Sequence, residues 1–408
     1  MSKYKRKIIN DPVYGLVNVP YELVFDIIET PTFQRLRRIN QLGMTNLVYP
    51  GALHTRFHHA IGAMHLMQMA VENLRFKGVE ISEHEAEAAS VAILLHDVGH
   101  GPFSHALENS IIEVHHEELS LALMDELNDA FDGRLQTAIQ IFKNEYPRKF
   151  FHQLISGQLD MDRLDYLRRD SFYTGVSEGT VGFDRIIHML DVYNDDLVVE
   201  EKGIYSIEKF LLARRLMYWQ VYLHKTVIAA ESLLINILTR AKYVSQQGIE
   251  LFATPTLQYF LQQQINTGQF NSNKKHILSQ FVKLDDFDVL ASIKSWTEAP
   301  DKVLALLCQW MVDRNLPKVI LQDSPISLQV LLEKQTEISQ KYGVSLQDAS
   351  YFVYEGTVSN ITYDKEEKGI KILMKNGEVS DLSMVSQQYN IPSVYKSMSK
   401  YYMCFKAN

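Results

Sequence analysis

Two segments in roughly the first quarter of the chain, HTRFHHAIGAMHL (54–66) and ILLHDVGHGPFSH (93–105), determine the predicted fold and the predicted functional site. Together they contain seven histidines, an arginine and an adjacent His96-Asp97 pair, on stretches whose other residues are mostly apolar or small. A buried helix normally carries apolar side chains at such positions rather than imidazoles and carboxylates. Because these groups can hold a metal ion between facing helices, the pattern predicts a metal site between two helices.

The spacing of apolar residues predicts helices around both segments. Residues 56–76 form one helical pattern, and residues 84–96 form a second that is rich in alanine and is ended by the glycines and proline of HDVGHGPFSH. Further helical patterns follow at 116–130, 134–143, 147–157, 160–170 and 208–247, and apolar helical runs alternate with proline and acidic breaks over 283–345. We therefore predict a mostly α fold.

Short β-prone runs interrupt the helices. Residues 4–19 fit either a small ribbon or an ordered arm, and residues 196–207 predict a hairpin with its turn near Gly203. Asn376-Gly377 lies between two β-prone runs, which is typical of a type I′ hairpin turn. The expected organisation is a helical body over residues 1–330, with the metal site at about 30–240, and a small α+β C-terminal lobe over residues 331–408.

Composition excludes several classes of protein. The 408 residues are 46% hydrophobic and have a formal net charge of -8, so strong nucleic-acid binding is not expected. No apolar run approaches the roughly 20 residues that a membrane span requires. The two cysteines, Cys308 and Cys404, lack the spacing of a zinc ribbon or a disulfide framework. We expect a soluble, cytoplasmic protein without a membrane partner.

The sequence offers several candidate metal ligands. His96 and Asp97 are neighbours at a predicted helix end, where both side chains can reach one ion. His59 is the best third candidate because it lies one turn from Arg56, so that a ligand and a phosphate-binding guanidinium share a face. Asp162 is a candidate for the fourth. Imidazoles and carboxylates together suit Mn, Mg, Fe, Ni, Co or Zn, and one such divalent ion is expected.

The segment LDMDRLDYLRRD (159–170) allows two interpretations. Asp162, Tyr166 and Asp170 recur every four residues on one helical face, while Asp165 and Arg169 can pair on another. Taken alone, this pattern is typical of an exposed helix with many salt bridges. Together with the upstream histidines, it favours a functional face.

Three further histidines lie near this cluster in the sequence: His100, His105 and His116. Each can titrate or donate a hydrogen bond in a working pH range, although a single such histidine is usually structural. His96 and His100 have the spacing of a zincin, but Gly99 and the missing glutamate after His96 count against that interpretation. Three other histidines are expected to be structural: His54, His58 and His65.

The segment TPTFQRLRRINQLG (30–43) predicts a helix that begins after a capping Thr30 and ends at Gly43. Its apolar residues recur at intervals of three, which leaves its polar side chains for other faces: Gln34, Arg35, Arg37, Arg38 and Gln41. From composition alone, this basic face is expected to be solvated.

In combination, these motifs resemble a known family. His59, His96-Asp97 and Asp162 resemble the H…HD…D signature of the HD-domain metallophosphohydrolases. The flanking text is more specific, because INDPVYG, ETPTFQRLRRINQLG, YPGALHTRFHHAIG, LLHDVGHGPFSH, DRLDYLRRD and YLHK follow in this order. They look like the deoxynucleoside triphosphate (dNTP) triphosphohydrolase branch, which includes the animal sterile-alpha-motif and HD-domain dNTPase and its bacterial relatives. The resemblance is dense over residues 7–240 and loose beyond them, and it implies a helical HD-domain core with small β-hairpins.

The resemblance implies a role for each site residue. The metal ligands would be His59, His96, Asp97 and Asp162. Around the α-phosphate it implicates Arg56, His100, His105 and His116, with Glu117 orienting a histidine. The substrate contacts would be Gln41 and Leu42 beside the sugar, Arg163 and Arg214 on the phosphates, Tyr166 and Asp170 beneath the deoxyribose, and Tyr222 facing the base.

The implied reaction is hydrolysis of a dNTP to a deoxynucleoside and inorganic triphosphate. The metal and three arginines would stabilise the charge that develops during attack of an activated water on the α-phosphorus. A histidine would then protonate the departing 5′-oxygen. The ring of Tyr166 would leave little room for a 2′-hydroxyl, which would discriminate against ribonucleotides.

Regulation is implied by the resemblance alone. The family's tetramers bind a guanine nucleotide between subunits, and Lys7, Gln34 and Arg37 match that site, with Glu29 in place of an aspartate. For a second, adjacent effector, the chain offers Asp191 and the acidic run DDLVVEEKG (195–203) instead of basic residues. We therefore expect a homo-oligomer, a dimer or tetramer, that GTP or a dNTP activates at a single site per interface or through a different effector arrangement.

Two other functions fit part of the pattern. One is an HD phosphatase or phosphodiesterase that acts on monophosphates, cyclic nucleotides or alarmones, although the residues assigned to the sugar favour dNTPs. The other is a nucleotide-sensing protein with a vestigial site. All four ligand positions are filled, so the sequence does not suggest inactivity.

Overall fold

The computed structural model describes residues 7–108, 110–360, 369–386 and 398–406, and the side chain of His105 lies outside this described part. The helices are α1 (Glu22–Ile28), α2 (Pro31–Gln34), α3 (Arg56–Phe76), α4 (Glu83–Leu95), α5 (His105–Glu108), α6 (His116–Ala130), α7 (Gln136–Phe142), α8 (Lys149–Gln153), α9 (Met161–Thr174), α10 (Phe183–Met189), α11 (Ile204–Met217), α12 (Lys225–Gln246), α13 (Pro255–Gln262), α14 (Thr267–Ser272), α15 (Lys274–Phe281), α16 (Asp286–Trp296), α17 (Lys302–Val312), α18 (Leu328–Tyr342), α19 (Leu346–Ala349) and α20 (Leu382–Val385).

The strands are short and form four small sheets. They are β1 (Lys7–Asp11), β2 (Gly15–Val19), β3 (Ile112–Glu113), β4 (Leu190–Tyr193), β5 (Asp196–Glu200), β6 (Ile265–Asn266), β7 (Lys318–Gln322), β8 (Tyr354–Asn360), β9 (Lys371–Leu373), β10 (Val379–Asp381) and β11 (Met398–Phe405). The sheet orders are β1-β2, β10-β9-β5-β4, β7-β11-β8 and β3-β6. The predicted mostly α fold with small β elements is confirmed.

Helices α3, α4 and α9 pack together and form the core around the predicted site. The first two begin at capping boxes, in which Thr55 pairs with His58 and Ser82 pairs with Glu85. Gly62 allows α9 to approach α3 closely, because a Cβ atom at this position would lie 2.0 Å from Oδ1 of Asp165. A substitution of Gly62 would therefore force the two helices apart.

The segment after Thr30 differs from its prediction. The helix ends early: α2 stops at Gln34, a 3-10 turn follows over Arg35–Arg38, and Ile39 is extended. This break reverses the chain so that Asn40 forms a β-bridge with Thr55. Arg35 consequently points inward and is fully buried, so its predicted place on a polar outer face was wrong.

Two predicted elements between residues 190 and 247 also differ. The hairpin pairs β4 with β5, and its turn lies at Asn194 and Asp195, both with positive φ, because residues 201–203 form a 3-10 turn that leads into α11. The long helix is divided into α11 and α12 by a π-helical turn over Tyr218–Tyr222. In the described part, no single helix is long and apolar enough to cross a membrane. The helical segments Glu201–Tyr222 and Lys225–Gln246 together have the length and composition of a span, but they are bent by 57° where they meet.

The C-terminal lobe shares sheets with the helical body. Strand β9 pairs with β5, and β11 pairs with β7, which precedes residue 330 and was not predicted as a strand. A turn is present at Asn376-Gly377 with a φ of +84° at Gly377, but the φ of Asn376 is not positive, so the predicted type I′ geometry was wrong. The division into domains at residue 330 stays a prediction, and two sheets extend across that position.

Candidate metal centre

Four side chains from three neighbouring elements converge at one point. His59 comes from the first turn of α3, His96 and Asp97 follow α4, and Asp162 lies in the first turn of α9. Nε2 of His59 lies 3.1 Å from Oδ1 of Asp162, 3.4 Å from Nε2 of His96 and 3.8 Å from Oδ2 of Asp97. Nε2 of His96 lies 3.4 Å from a carboxylate oxygen of each aspartate. All four residues predicted as metal ligands therefore stand together.

The separations from 3.1 to 3.4 Å fit adjacent ligands of one divalent ion, and the 3.8 Å between His59 and Asp97 is longer. With metal–ligand bonds near 2.1 Å, ligand atoms around a tetrahedral or octahedral ion lie about 3.0 to 3.4 Å apart. The hydrogen bonds of the two imidazoles point to the same conclusion. Nδ1 of His59 donates to Asp165 at 2.7 Å, and Nδ1 of His96 donates to the carbonyl of Ile93 at 2.6 Å. These bonds direct Nε2 of each ring toward the other candidate ligands, where a metal ion would replace any proton on it.

The carboxylate behind His59 belongs to a buried charge chain. Asp165 accepts two hydrogen bonds from Arg169, at 2.9 and 3.0 Å, and Arg169 donates a third to Asp11 of the N-terminal hairpin at 2.8 Å. Burial raises the pKa of Asp165, but Arg169 and His59 together lower it to about 2. The charged carboxylate therefore stays available to hold the proton of His59.

The pKa values of the candidate ligands reflect their mutual attraction. Burial lowers the pKa of His59, but hydrogen bonds to Asp162 and Asp165 raise it to about 10. Burial raises the pKa of Asp97, but His100, His96 and Arg56 lower it well below its usual range. Positive charge at this point is thus stabilised by ionised aspartates, which is the electrostatic requirement of a cation site.

Arg56 supports the centre from the start of α3. It donates to Oδ2 of Asp97 and to the hydroxyl of Ser104, both at 2.5 Å, and its Nε is buried without a hydrogen-bond partner among the described residues. Its guanidinium therefore lies beside a candidate ligand. Arg56 and His59 thus lie on the same side of α3 near Asp97, and phosphate binding by Arg56 stays a prediction.

The additional histidines form a second cluster beside the ligands. The rings of His100 and His116 stack with centroids 4.0 Å apart, and Nδ1 of His100 lies 3.4 Å from Oδ1 of Asp97. The carboxylate against His116 belongs to Glu108, at 2.8 Å, whereas Glu117 lies 4.0 Å from His115. Glu108, His115 and His116 also have ligand atoms close enough to hold an ion.

A cavity of about 380 Å³ lies over the centre. Its lining includes His96, Asp97, Asp162, Arg163, His116 and Glu117. Glu117 therefore faces the cavity, although it does not orient His116. This volume lies in the range of pockets that bind small molecules.

The residues predicted to contact a sugar lie along α9 and against it. Asp170 is buried and accepts hydrogen bonds from Nε2 of His54 at 2.8 Å and from the hydroxyl of Tyr222 at 2.6 Å. The rings of Tyr166 and Tyr222 meet edge to face, with centroids 6.2 Å apart. Tyr222 thus supports Asp170, and His54, which was expected to be only structural, holds the same carboxylate.

The remaining predicted substrate residues lie around this row. Gln41 precedes Leu42, which packs partly buried against the core, and Oε1 of Gln41 is buried without a hydrogen-bond partner among the described residues. Arg163 is held by Asp160, the N-cap of α9. Arg214 is buried and donates to Gln158 at 3.3 Å.

The four predicted effector residues lie around α1. Lys7 lies over the ring of Phe25 at 5.0 Å, and Gln34 donates to the carbonyl of Ile28 at 2.8 Å. Arg37 donates to Gln34 at 2.8 Å, and its guanidinium lies 3.6 Å from the ring centroid of Phe57. Glu29 caps the C-terminus of α1.

Several supporting residues were missed in the sequence. Arg35 donates to backbone carbonyls of the turn after α4, Glu108 holds His116, and Asp11 completes the charge chain behind His59. Asp286 accepts from the backbone amides of Asn40 and Phe103 at 2.8 and 3.2 Å. Only the spacing of Asp165 and Arg169 signalled such a contact, because the other partners are distant in sequence.

Comparison with known proteins is consistent with this geometry. A family model described as HD domain matches residues 56–170, which begin at Arg56 and end at Asp170, and a second, described as HD associated region, matches residues 181–254. The crystal structure of a phosphohydrolase from Bacteroides thetaiotaomicron superimposes with a TM-score of 0.95 and 52% identity, covering 99% of this chain and 100% of that one. The protein belongs to the HD-domain phosphohydrolase family. The HD protein is therefore a hydrolase, and the predicted family is confirmed.

Other relatives of this HD protein extend the comparison. The uncharacterised protein YwfO of Bacillus subtilis is 33% identical over 397 residues, which cover 94% of this chain and 88% of YwfO. A protein of Dictyostelium discoideum named deoxynucleoside triphosphate triphosphohydrolase SAMHD1 homolog is 33% identical over 260 residues, covering 59% of this chain and 50% of that protein. HD domains bind divalent metal ions, and His59, His96 and Asp97 lie close enough together to hold one.

Proposed function

We propose that this HD phosphohydrolase hydrolyses dNTPs to deoxynucleosides and inorganic triphosphate. The observation that carries the proposal is the arrangement along α9, where a candidate metal ligand, an aromatic ring and a buried carboxylate follow at intervals of one turn: Asp162, Tyr166 and Asp170. A substrate whose phosphate lies at the metal would have its sugar over the next two residues. The name of the Dictyostelium relative supports the same substrate class.

Sugar recognition is the part of the proposal that separates dNTPs from other nucleotides. Asp170 is held by His54 and Tyr222, so its carboxylate has a fixed position from which to accept a hydrogen bond from a 3′-hydroxyl. The ring of Tyr166, packed against Tyr222, would exclude a 2′-hydroxyl by contact. Gln41, with its buried Oε1, would complete the sugar contacts from the opposite segment.

Phosphate chemistry is assigned to the charged residues around the cavity. A divalent ion held by His59, His96, Asp97 and Asp162 would supply Lewis-acid charge at the α-phosphate. Arg56, Arg163 and Arg214 would bind phosphate oxygens and stabilise the charge that develops on them. Asp160 orients Arg163, and Asp97 orients Arg56.

Proton transfer is assigned to the histidine cluster. The contact with Glu108 holds the proton of Nδ1 of His116 and fixes the orientation of its ring, which stacks on His100. A histidine oriented in this way can protonate a departing 5′-oxygen. His105 remains a third candidate for this step.

Regulation and assembly are further parts of the proposal. We propose a cytoplasmic homotetramer or dimer in which GTP or a dNTP binds near Lys7, Glu29, Gln34 and Arg37. The contacts among these side chains place an exposed arginine and an amide beside each other, which suits recognition of a nucleotide. Sedimentation velocity with and without GTP would test assembly, and an unchanged rate and oligomeric state with every nucleotide would rule out this regulation.

Product analysis tests the proposed reaction. Each dNTP and each ribonucleotide is incubated with the protein and Mn or Mg, and the products are separated by anion exchange. Deoxynucleoside and inorganic triphosphate in equal amounts are expected. Release of orthophosphate, or turnover of ribonucleotides only, would instead support an HD phosphatase or phosphodiesterase.

A further inference from the structure

Arg35 is a fully buried arginine that does not belong to the predicted ligand or substrate set. Its Nη2 donates to the carbonyl of Val98 at 2.6 Å, and its Nη1 donates to the carbonyl of His100 at 3.0 Å. These carbonyls lie in the turn that carries Asp97. One guanidinium therefore joins two carbonyls of the turn that presents a candidate metal ligand, Asp97, and a candidate acid, His100.

The surroundings of Arg35 fix its position. Its guanidinium lies 4.7 Å from the ring centroid of Phe281, so that the apolar ring covers one side. Burial lowers the pKa of Arg35 to about 9 even though Asp285 raises it, because the group is removed from water. Loss of the hydrogen-bond partners of a charge buried in this way would be costly.

The segment that carries Arg35 contacts the rest of the site by its backbone. The carbonyl of Ile39 accepts from the amide of Arg56 at 2.9 Å. Asp286 joins the amide of Asn40 to that of Phe103. Residues 35–40 are thus linked to both histidine-rich segments, residues 54–66 and residues 93–105.

We propose that Arg35 is a positioning residue that holds the His96–His100 turn in the geometry that binds the metal ion. Backbone carbonyls that face one planar guanidinium can adopt only a narrow range of orientations, because its donors form a rigid fork. The turn is short, so rotation of its peptide groups would move Asp97 and His100 away from His59 and Asp162. This inference depends on the metal centre and not on which nucleotide is hydrolysed.

The test compares four variants of the full chain. Arg35→Lys retains the charge but loses the fork, Arg35→Met retains the length without donors, and Arg35→Ala leaves room for added guanidinium. The exposed Arg134→Met is the matched control. The readouts are the Kd for Mn²⁺ measured by calorimetry, thermal unfolding, and amide hydrogen exchange of residues 98–101 in metal-free protein.

The expected result is a weaker site in a folded protein. The Kd for Mn²⁺ should rise about 10- to 100-fold in Arg35→Met and Arg35→Ala, as for other residues that orient metal ligands, and by less in Arg35→Lys. Exchange at residues 98–101 should accelerate, and millimolar guanidinium should restore both properties of Arg35→Ala. Arg134→Met should match the wild-type protein.

Two results would overturn the inference. One is a folded Arg35→Met protein with the wild-type Kd for Mn²⁺. The other is recovery of thermal stability by guanidinium in Arg35→Ala without recovery of Mn²⁺ affinity, which would make Arg35 a structural residue only. Neither result depends on turnover, so the failure of this inference is distinguishable from failure of the proposed reaction.

Discussion

Replacement of Asp165 by asparagine tests whether the charge chain behind His59 tunes the metal site. The substitution keeps the shape of a side chain that is fully buried and lies 2.7 Å from Nδ1 of His59. It removes the negative charge that makes the imidazole a stronger ligand. Arg169 keeps its hydrogen bond to Asp11, so one of its carboxylate partners remains.

The magnitude follows from the position of Asp165 behind a ligand. Loss of such a partner typically weakens metal affinity about 10- to 100-fold, which corresponds to roughly 1.4 to 2.7 kcal/mol. Removing one partner of a fully buried charge destabilises a protein by about 3 to 5 kcal/mol. Since Asp11 compensates in part, the free energy of unfolding should fall by less than this amount.

Calorimetric titration with Mn²⁺ measures the loss of metal affinity, and urea unfolding of the metal-free protein measures the fall in the free energy of unfolding. The exposed Asp184→Asn is the matched control and should change neither quantity. Asp11→Asn should lower stability while leaving most of the Mn²⁺ affinity, because the contact between Asp165 and His59 remains. A folded Asp165→Asn protein with unaltered Mn²⁺ affinity would refute the reasoning.

Three further substitutions have expected outcomes. Asp97→Ala removes a candidate ligand and leaves its partners, so Mn²⁺ binding and turnover should be lost, and full activity in a metal-dependent assay would contradict the assignment. Tyr166→Ala should raise ribonucleotide turnover relative to dNTP turnover in paired kcat/KM measurements, whereas an unchanged ratio would exclude the ring as the sugar filter. Burial raises the pKa of Asp286 from 3.8 to about 7, so the folded protein retains a proton that the unfolded chain has lost. Stability should therefore fall as the pH rises from about 4 to 7, and Asp286→Asn should reduce this slope by up to about 1.4 kcal/mol per pH unit in urea melts, while an unaltered slope would show that Asp286 does not titrate there.

Features that depend on residues close together in the sequence, such as helix bounds and contacts within one helix, were predicted correctly. The bounds of α3 are those expected, because apolar spacing is continuous from Arg56 to Phe76. Three candidate ligands, His59, His96 and Asp97, could be named because imidazoles and carboxylates on apolar segments are unusual, whereas Asp162 lies in a polar segment and was assigned with the family resemblance. The pairing of Asp165 with Arg169 followed from a spacing of four residues on one helix.

The errors arose where tertiary contacts override local pattern. The segment after Thr30 has helical spacing, but the bridge between Asn40 and Thr55 and the two carbonyls that receive Arg35 favour an early end of the helix. The hairpin was misplaced because Asn194 and Asp195, both able to adopt positive φ, form its turn. No pattern in the sequence indicated that Glu108 would hold His116.

The contacts of Asp286 bear on how the protein is synthesised. All four candidate metal ligands have been synthesised once the ribosome has added residue 162. Asp286, whose carboxylate accepts hydrogen bonds from the amides of Asn40 and Phe103, is added more than a hundred residues later. The nascent chain therefore contains all four candidate ligands before it contains the carboxylate that links Asn40 to Phe103. A fragment that ends at residue 170 would contain the whole HD-domain match and still lack this link, which requires synthesis of the chain through α16.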